Sequence, residues 1–441
     1  MKNDNVINQL DYQLVYDIIC KTQRKMDFYK TIPDNIGYYL QKLSQLVFEV
    51  TDKCNLNCKY CACSELYRKC DAREGKDISF TKAKLVIDYL FGLWKNDCSN
   101  ENNRELNIGF YGGEPLMNIP FIKQVIEYVE GLEKTGLIYT YSMTTNAVLL
   151  DQYMDYLVKK DFKLLISLDG DEFAQSYRTD HSGNNSFERV FRNIKLLQKK
   201  HPEYFKNKIA FNSVLHNRNS VESIYQFIRT EFDKIPLISP LNEVGICEDK
   251  KEEFIKMYRN PVQSFYDSSN CAIIESEMLM RAPRTARLAD YILRQSGNNY
   301  QTYNELYANK DDLPLSTGTC LPFSKKMFVT ATGKILPCER INHQFSLGQV
   351  YDDRVELNEE YIADRYNFYV SKYEKQCMSC ACNRFCPQCV YLIDDIYKED
   401  LCCPMFRLNE DLKKRNEDSF KFLEEYPHYY RRILEEVKIE R

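Results

Sequence analysis

The chain has 441 residues, with 60 Lys and Arg against 64 Asp and Glu, so its formal net charge is only −4. At about 150 residues per domain this length suits about three domains, and the balanced charge excludes an overall cationic field for nucleic acid or an anionic bilayer. The polar start lacks a signal-peptide pattern, and no run approaches the ~18 apolar residues of a membrane span. We therefore expect a cytoplasmic protein that binds neither nucleic acid nor membrane.

The outlying feature of the composition is its 18 cysteines. In a chain of this length they are too sparse for a disulfide-stapled scaffold, and clustered cysteines in a reducing compartment more often bind metal or iron-sulfur clusters. Six are scattered, at Cys20, Cys63, Cys70, Cys98, Cys247 and Cys271. Three form an N-terminal set, and nine form a C-terminal set. About 250 residues nearly free of cysteine separate the two sets, which predicts a catalytic domain followed by a cluster domain.

In chain order, residues 1–45 carry a helical pattern in which Leu14 and Ile18, and Val15 and Ile19, recur at helical spacing. Beyond them, short β-rich runs alternate with amphipathic helical patterns. Strands are predicted at 46–50, 105–110, 138–143, 163–168, 208–215 and 236–241, and helices at 82–95, 120–133, 151–160, 186–200 and 219–232. Ser79 or Thr81 is available to cap the first of these helices. The alternation predicts a parallel α/β sheet, open or curved into part of a barrel.

In such folds the chemistry lies at the C-terminal ends of the strands. Directly after the first strand, Cys54, Cys58 and Cys61 occur with the spacing C-x3-C-x2-C. Three thiolates on one loop can hold three corners of a cubane iron-sulfur cluster and leave one iron open to a substrate. The alternative is a zinc site or buried free cysteines, although structural zinc usually has four protein ligands.

Polar residues follow the next three strands as well. The second strand ends in Gly112-Gly113-Glu114-Pro115, the third in Thr145-Asn146, and the fourth in Ser167-Leu168-Asp169-Gly170, with Arg178 further on. Paired glycines let a backbone approach a ligand closely, a carboxylate accepts from an ammonium group, and Arg suits a carboxylate. A tight turn explains Gly-Gly equally well in isolation. Together, these strand ends indicate a site for a ribose and an amino-acid head group.

These residues together resemble the radical S-adenosylmethionine (radical SAM) enzymes, over roughly residues 45–240. The resemblance implies a partial (β/α)6 TIM-like barrel with a four-iron four-sulfur cluster on Cys54, Cys58 and Cys61. The open iron would chelate the amino and carboxylate groups of S-adenosylmethionine. This agrees with the chemistry, because side chains alone cannot make a radical that breaks an unactivated C–H bond. One departure is Ala147, where the family often has Gly.

The resemblance also implies how S-adenosylmethionine would be held. Gly112, Gly113 and Glu114 would meet its amino group, and Arg178 would meet its carboxylate. Asn146, of the Thr145-Asn146 pair, would be a further cofactor-binding residue. The remaining contacts would be Tyr60 near the adenine, Ser167 at the ribose and the backbone near Leu215 at the adenine.

The C-terminal set consists of Cys320, Cys338, Cys377, Cys380, Cys382, Cys386, Cys389, Cys402 and Cys403. For its C-x2-C-x5-C-x2-C run taken alone, a zinc site is as well supported as an iron-sulfur cluster. The whole arrangement, with Gly333 five residues before Cys338 and Leu347-Gly348 beyond, resembles the SPASM domain. That domain carries two auxiliary four-iron four-sulfur clusters, so the resemblance implies three such clusters in all.

By this resemblance one auxiliary cluster takes Cys320, Cys338 and Cys389, and the other takes Cys377, Cys380, Cys386 and a late cysteine. We choose Cys403 over Cys402 as that late cysteine, because Cys403-x-Met405 is closer to the family's ending. The sequence departs from the family in the short Cys386–Cys389 spacing and the extra Cys382. The fourth ligand of the first auxiliary cluster is therefore open between Cys382 and a substrate thiolate on an open iron.

Glu339 follows Cys338, where sulfatase-maturating enzymes place a carboxylate that accepts a proton. A carboxylate beside an anionic cluster suits a general base. The alternative is a solvated surface Glu beside Arg340. A basic run at 281–287 lies in the bridging region, which either lines a peptide groove or is a solvated helical linker.

We therefore expect an N-terminal helical segment at 1–45, a radical SAM core at 46–240, a bridge at 241–319, a SPASM domain at 320–403 and a helical tail at 404–441. The expected function is a radical SAM/SPASM maturase that forms a thioether or carbon-carbon crosslink in a ribosomal precursor peptide. A sulfatase-maturating enzyme that makes formylglycine is one alternative, and a non-enzymatic zinc-binding adaptor is another. Expected partners are the peptide, or a sulfatase, and a low-potential electron donor such as flavodoxin or ferredoxin. Because 1–45 is short for a complete leader-binding domain, a separate leader-binding protein is a further expected partner.

Overall fold

The structure is a computed structural model that describes residues 28–68, 73–95, 104–132, 136–295, 317–383, 386–393, 396 and 402–437. The helical pattern at Leu14 to Ile19 and Cys20, Cys70 and Cys98 lie outside these residues. None of the described helices is long and apolar enough to cross a membrane.

Six parallel strands form the first part of the sheet and pair in chain order. They are β1 (Gln45–Thr51), β2 (Arg104–Gly112), β3 (Leu137–Thr145), β4 (Lys163–Ser167), β5 (Ile209–Leu215) and β6 (Leu237–Pro240). The helices between them are α2 (Phe80–Lys95), α3 (Ile119–Glu130), α4 (Leu150–Lys159), α5 (Glu172–Gln175), α6 (Phe187–Lys200), α7 (Pro202–Lys208) and α8 (Val221–Phe232), and α1 (Pro33–Gln41) precedes β1. The predicted α/β class with a parallel sheet is confirmed, and Ser79 caps α2 by accepting a hydrogen bond from the Lys82 amide.

Alternation along each strand sorts the side chains between two faces. Leu46, Phe48 and Val50 of β1 are fully buried in a core that also contains residues of α2 and α3. Phe110 of β2 and Phe211 of β5 are buried in the same core. The opposite face carries both polar and apolar side chains, and it borders a cavity of about 460 Å3 inside the curved sheet; the lining includes Gln45, Val47, Tyr111, Ser142, Thr144 and Leu165. The helices therefore cover one face and leave a chamber of mixed polarity on the other.

The C-terminal cysteine region extends the same sheet. Strand β7 (Met327–Val329) pairs parallel to β1, and β8 (Lys334–Leu336), β9 (Gly348–Val350) and β10 (Val355–Leu357) continue from it antiparallel. The ten strands form one sheet, in the order β10-β9-β8-β7-β1-β2-β3-β4-β5-β6. Two helices follow, α13 (Glu359–Ser371) and α14 (Glu374–Ser379).

The bridge and the tail are helical and pack on one another. The bridge contains α9 (Lys251–Met257), α10 (Pro261–Tyr266), α11 (Cys271–Met278) and α12 (Pro283–Asp290), and the tail contains α15 (Asn409–Glu425) and α16 (His428–Glu436). Leu288 of the bridge is buried with Phe422 and Ile433 of the tail. Ile274 and Met278 join the core of the barrel, so this part of the bridge is packed rather than solvated.

Candidate active site at the strand ends

The three N-terminal cysteines lie on a loop that neighbouring backbone holds on two sides. On one side, the Asn57 amide donates to the Thr179 carbonyl at 2.7 Å and the Lys59 amide to the Tyr177 carbonyl at 3.0 Å. On the other side, the Gly113 amide donates to the Thr51 carbonyl at 2.8 Å. The position of the loop is therefore set by the end of β2 and by the segment after α5 as well as by β1.

Gly112 and Gly113 are required by the chain itself. A Cβ at Gly112 would lie 2.3 Å from the Thr51 carbonyl oxygen, and one at Gly113 would lie 1.9 Å from that of Lys53. Gly112 also has a φ of +135°, which L side chains rarely adopt. The sequence predicted that the backbone at these glycines closely approaches another group. In the structure that group is the backbone of Thr51 and Lys53, at the start of the cysteine loop.

Glu114 joins the ends of β2 and β3 through its buried carboxylate. It accepts hydrogen bonds from the Thr145 hydroxyl at 2.7 Å, the Asn146 amide at 2.7 Å and the Leu116 amide at 3.2 Å. Burial raises the pKa of Glu114 to about 7, although these hydrogen bonds oppose the shift. A buried carboxyl near its charge transition is suited to an ammonium partner, which would stabilise the ionised form.

Asn146 connects the third strand end to the cysteine loop. Its Nδ2 donates to Asn55 Oδ1 at 2.7 Å and lies 3.7 Å from the Cys54 sulfur. Ala147, which follows it, has a φ of +60°. This left-handed backbone explains why Gly suits the position, and here an alanine adopts it.

A second network surrounds Asp169 at the end of β4. Arg178 binds its carboxylate through Nε and Nη2, each at 3.0 Å, and the Val214 amide donates to it at 2.9 Å. Burial alone would raise the pKa of Asp169, but Arg178 and the neighbouring His216 outweigh burial and lower it to about 2. Asp169 is therefore an anion in the folded protein.

Two of the other predicted contacts lie at adjacent strand ends, and two lie in loops. Ser167 is the last residue of β4, and Leu215, which is fully buried, is the last of β5. Arg178 is 7% exposed, and two of its nitrogens, Nε and Nη2, donate to Asp169. Its third nitrogen, Nη1, takes no part in this ion pair. Tyr60 is 8% exposed, and its hydroxyl donates to Asp169.

Three cysteine thiols on one loop are the donor set that an iron-sulfur cluster with an open iron requires. Burial raises the pKa of Cys58 to about 12, whereas a hydrogen bond from Cys63 lowers that of Cys61 to about 5. Beside Cys54, the buried Asn55 Nδ2 has no partner among the described residues, so a donor is available there. Among those same residues, no three His, Cys, Asp or Glu side chains lie close enough to hold a single metal ion.

The C-terminal cysteines fall into two neighbourhoods. Cys377 has Cys386, Cys403 and Cys380 near enough to raise its pKa, after the larger effect of burial. Cys389 has Cys320 as its neighbour. The segments that carry Cys320 and Cys389 are joined by a hydrogen bond from the Val390 amide to the Thr319 hydroxyl at 2.9 Å.

Cys382 lies with the first of these neighbourhoods. It is 6% exposed, and Cys380 and Cys386 are among the groups that shift its pKa. Cys402 is exposed at the surface. Cys338 follows β8 and lies 3.8 Å from Glu339 Oε2.

Glu339 reaches the chamber of the barrel. It lines the cavity together with Lys326, whose Nζ lies 3.1 Å from both of its carboxylate oxygens. The Glu339 side chain is 17% exposed, so the solvated alternative does not describe it. Lys326, just before β7, was missed in the sequence because nothing there shows that β7 pairs with β1.

Tyr111 is a second residue that the sequence did not single out. It lies on the chamber side of β2, one residue before Gly112, and lines the cavity. Its pKa is raised to about 12 by burial of the hydroxyl, and further by Glu339 and Cys61. Tyr111 therefore lies between the N-terminal cysteine loop and the Cys338-Glu339 segment.

The fold and the site define an α/β partial barrel with a cysteine loop after its first strand and a second cysteine region joined to its sheet. Residues 48–230 match the family model of the Radical SAM superfamily.

The chain is 28% identical over 220 residues to the radical SAM cyclopropyl synthase TigE of Paramaledivibacter caminithermalis, covering 49% of this chain and 43% of TigE. It is 28% identical over 211 residues to a cysteine-type anaerobic sulfatase-maturating enzyme of Clostridium novyi, covering 46% and 54%. The chain thus spans about half the length of these curated relatives. The structure of native anSMEcpe with bound AdoMet has the same fold, with a TM-score of 0.58 at 19% identity, over 90% of this chain and 100% of anSMEcpe.

Proposed function

We propose that the chain is a radical SAM enzyme that modifies a residue of a peptide or protein. The main supporting observation is that Gly113 and Asn146, at the ends of β2 and β3, hydrogen-bond to the segment that carries the cysteines. These two strand ends resemble an S-adenosylmethionine site. When bound, a four-iron cluster on Cys54, Cys58 and Cys61 and S-adenosylmethionine supply a 5'-deoxyadenosyl radical that abstracts hydrogen.

The chain's own residues bind and orient the reactants. Glu114 would accept from the methionine ammonium group, and the Nη1 side of Arg178 would donate to the methionine carboxylate. Ser167 would meet the ribose. The Tyr60 side chain is buried, so its contact with the adenine, like that near Leu215, would come from the main chain.

In the chamber we assign Glu339 as the proton acceptor. Lys326 forms an ion pair with Glu339, and the cavity places Glu339 on the same side of the sheet as Tyr111. A carboxylate held beside a cavity of about 460 Å3 is suited to take a proton from a bound substrate residue.

We assign two auxiliary clusters to the C-terminal cysteines. The grouping of Cys377, Cys380, Cys386 and Cys403 supports one of them. The pairing of Cys320 with Cys389 supports the other, with Cys338 as its third ligand. Since Cys382 lies with the Cys377 group, an open iron that binds a substrate thiolate is favoured for the cluster on Cys320, Cys338 and Cys389, which supports thioether formation.

The leading reaction is a thioether or carbon-carbon crosslink in a ribosomal precursor peptide. Formylglycine formation is the second candidate, supported by similarity to the sulfatase-maturating enzyme and by the fold shared with anSMEcpe. Both reactions require an external low-potential electron donor, such as flavodoxin or ferredoxin.

Anaerobic purification tests the proposal. We expect a brown protein with about twelve iron atoms per chain that cleaves S-adenosylmethionine when reduced. A colourless zinc protein would support the adaptor alternative and refute the enzyme. Mass spectrometry of a peptide encoded beside this gene then separates the reactions, because a crosslink removes two hydrogens and keeps the sulfur, whereas oxidation of Cys to formylglycine removes the sulfur.

A further inference from the structure

Tyr60 lies between two proposed cluster ligands, and its side chain is enclosed. Its ring stacks on His216, with centroids 5.7 Å apart and planes at 29°, and meets the Tyr177 ring edge-on at 6.3 Å. The Arg178 guanidinium lies 5.4 Å from the ring centroid. With 8% of Tyr60 exposed, the ring has no free face on which an adenine could stack.

The hydroxyl of Tyr60 is held by a fixed acceptor. It donates to Asp169 Oδ2, on a carboxylate that is fully buried and also binds Arg178 and the Val214 amide. Asn219 further donates from Nδ2 to the Asp169 carbonyl at 3.0 Å. The acceptor is thus tied to β4, to β5 and to the loop after α5, and a group bound to it is fixed relative to all three.

The backbone ties of the cysteine loop lie before Tyr60. Thr179 and Tyr177 accept from Asn57 and Lys59, and beyond Tyr60 the Cys61 amide turns back to the Cys58 carbonyl at 3.2 Å. The hydroxyl of Tyr60 therefore adds a side-chain tie inside the short segment that sets the spacing of Cys58 and Cys61.

We propose that Tyr60 is a positioning residue whose hydroxyl, bound to Asp169, fixes the Cys58–Cys61 segment in the geometry that retains the N-terminal cluster. The inference rests on the proposed function, since it requires a cluster on this loop. It assigns the Tyr60 side chain to the ligand loop, and not to the adenine.

The test compares Tyr60→Phe with the matched control Tyr177→Phe. Both remove one hydroxyl from a buried tyrosine of the same aromatic group, because the Tyr177 hydroxyl donates to Asn217 at 3.0 Å. The proteins are reconstituted anaerobically and challenged with an iron chelator. Loss of the N-terminal cluster is followed by the electron paramagnetic resonance signal that changes on adding S-adenosylmethionine, which separates this cluster from the auxiliary ones.

We expect Tyr60→Phe to lose this signal about tenfold faster than the wild type, in the range known for residues that support metal ligands, and Tyr177→Phe to keep the wild-type rate. Thermal unfolding of both iron-free variants serves as the control for packing, and we expect the two to agree. Equal retention of the signal by Tyr60→Phe and wild type, or equally fast loss by Tyr177→Phe, would overturn the positioning role of Tyr60. Failure of the wild type to form the signal would instead refute the proposed function.

Discussion

The two cysteine regions are built in opposite ways. The N-terminal cysteines lie within eight residues on one loop, and backbone hydrogen bonds from Gly113, Asn57 and Lys59 tie that loop region to the end of β1 and to the segment after α5. The C-terminal cysteines come from separated segments, and single contacts such as that of Val390 with Thr319 bring them together. A short spacing can therefore specify the first site, whereas the second depends on the tertiary fold.

The largest expected effect separates the roles of the two regions. Cys58→Ser should reduce the cleavage of S-adenosylmethionine more than about a hundredfold, because losing a ligand should exceed the 10–100-fold cost of losing a supporting contact. Cys386→Ser should leave this cleavage measurable while product formation falls. Liquid chromatography of 5'-deoxyadenosine and of product measures both. If Cys386→Ser abolished cleavage as fully as Cys58→Ser, the division between the regions would be wrong.

A second effect concerns the chamber. Glu339→Gln keeps the shape of the side chain but removes the proton acceptor, so product formation should fall about a hundredfold while release of 5'-deoxyadenosine continues. Lys326→Met serves as the companion variant, because it keeps the stem of the side chain and removes the charge that faces Glu339. An unchanged product yield in Glu339→Gln would remove the assigned role.

A third effect sharpens the C-terminal assignment. Cys403→Ala should remove about four iron atoms per chain, since it withdraws one ligand of the proposed second auxiliary cluster. Cys402→Ala is the matched control, because its exposed neighbouring thiol should leave the iron content unchanged. Iron analysis after anaerobic reconstitution gives the answer, and the reverse outcome would exchange the two cysteines.

The smallest effect concerns the rigidity of the N-terminal region. Ala147 and Ala83 are both fully buried, but Ala147 has a φ of +60° whereas Ala83 lies within α2. Ala83→Gly should lower the free energy of unfolding by about 1–2 kcal/mol through helix propensity and the lost methyl group. In Ala147→Gly, relief of the left-handed backbone strain should offset the loss of the methyl group, so the free energy of unfolding should change by no more than about 0.5 kcal/mol. Urea unfolding of the two variants tests this, and equal losses would contradict it.

Most of the barrel could be predicted from the sequence. The six strands lie within two residues of their expected bounds, because their apolar runs and the helical patterns between them are regular. The strand-end groups of Glu114 and Asn146 were predicted for the same reason, since the ends of parallel strands meet at one edge.

The rest depends on contacts between distant segments. The link between the Tyr60 hydroxyl and Asp169 crosses 109 residues, and the pairing of β7 with β1 crosses about 280. Neither leaves a periodic pattern in the sequence. Glu49 is a partial exception, because a carboxylate within an apolar strand indicates a buried partner, and the structure supplies the Ala331 amide at 2.8 Å.

The pairing of β7 with β1 also bears on how the protein avoids aggregation. A chain that ended before β7 would leave the edge of β1 unpaired, with Leu46, Phe48 and Val50 on one face and free backbone donors and acceptors along the edge. Such an edge is a template for intermolecular strand pairing. The C-terminal region thus covers this edge of the barrel sheet in the folded protein, and we expect a barrel expressed without it to associate through the exposed edge.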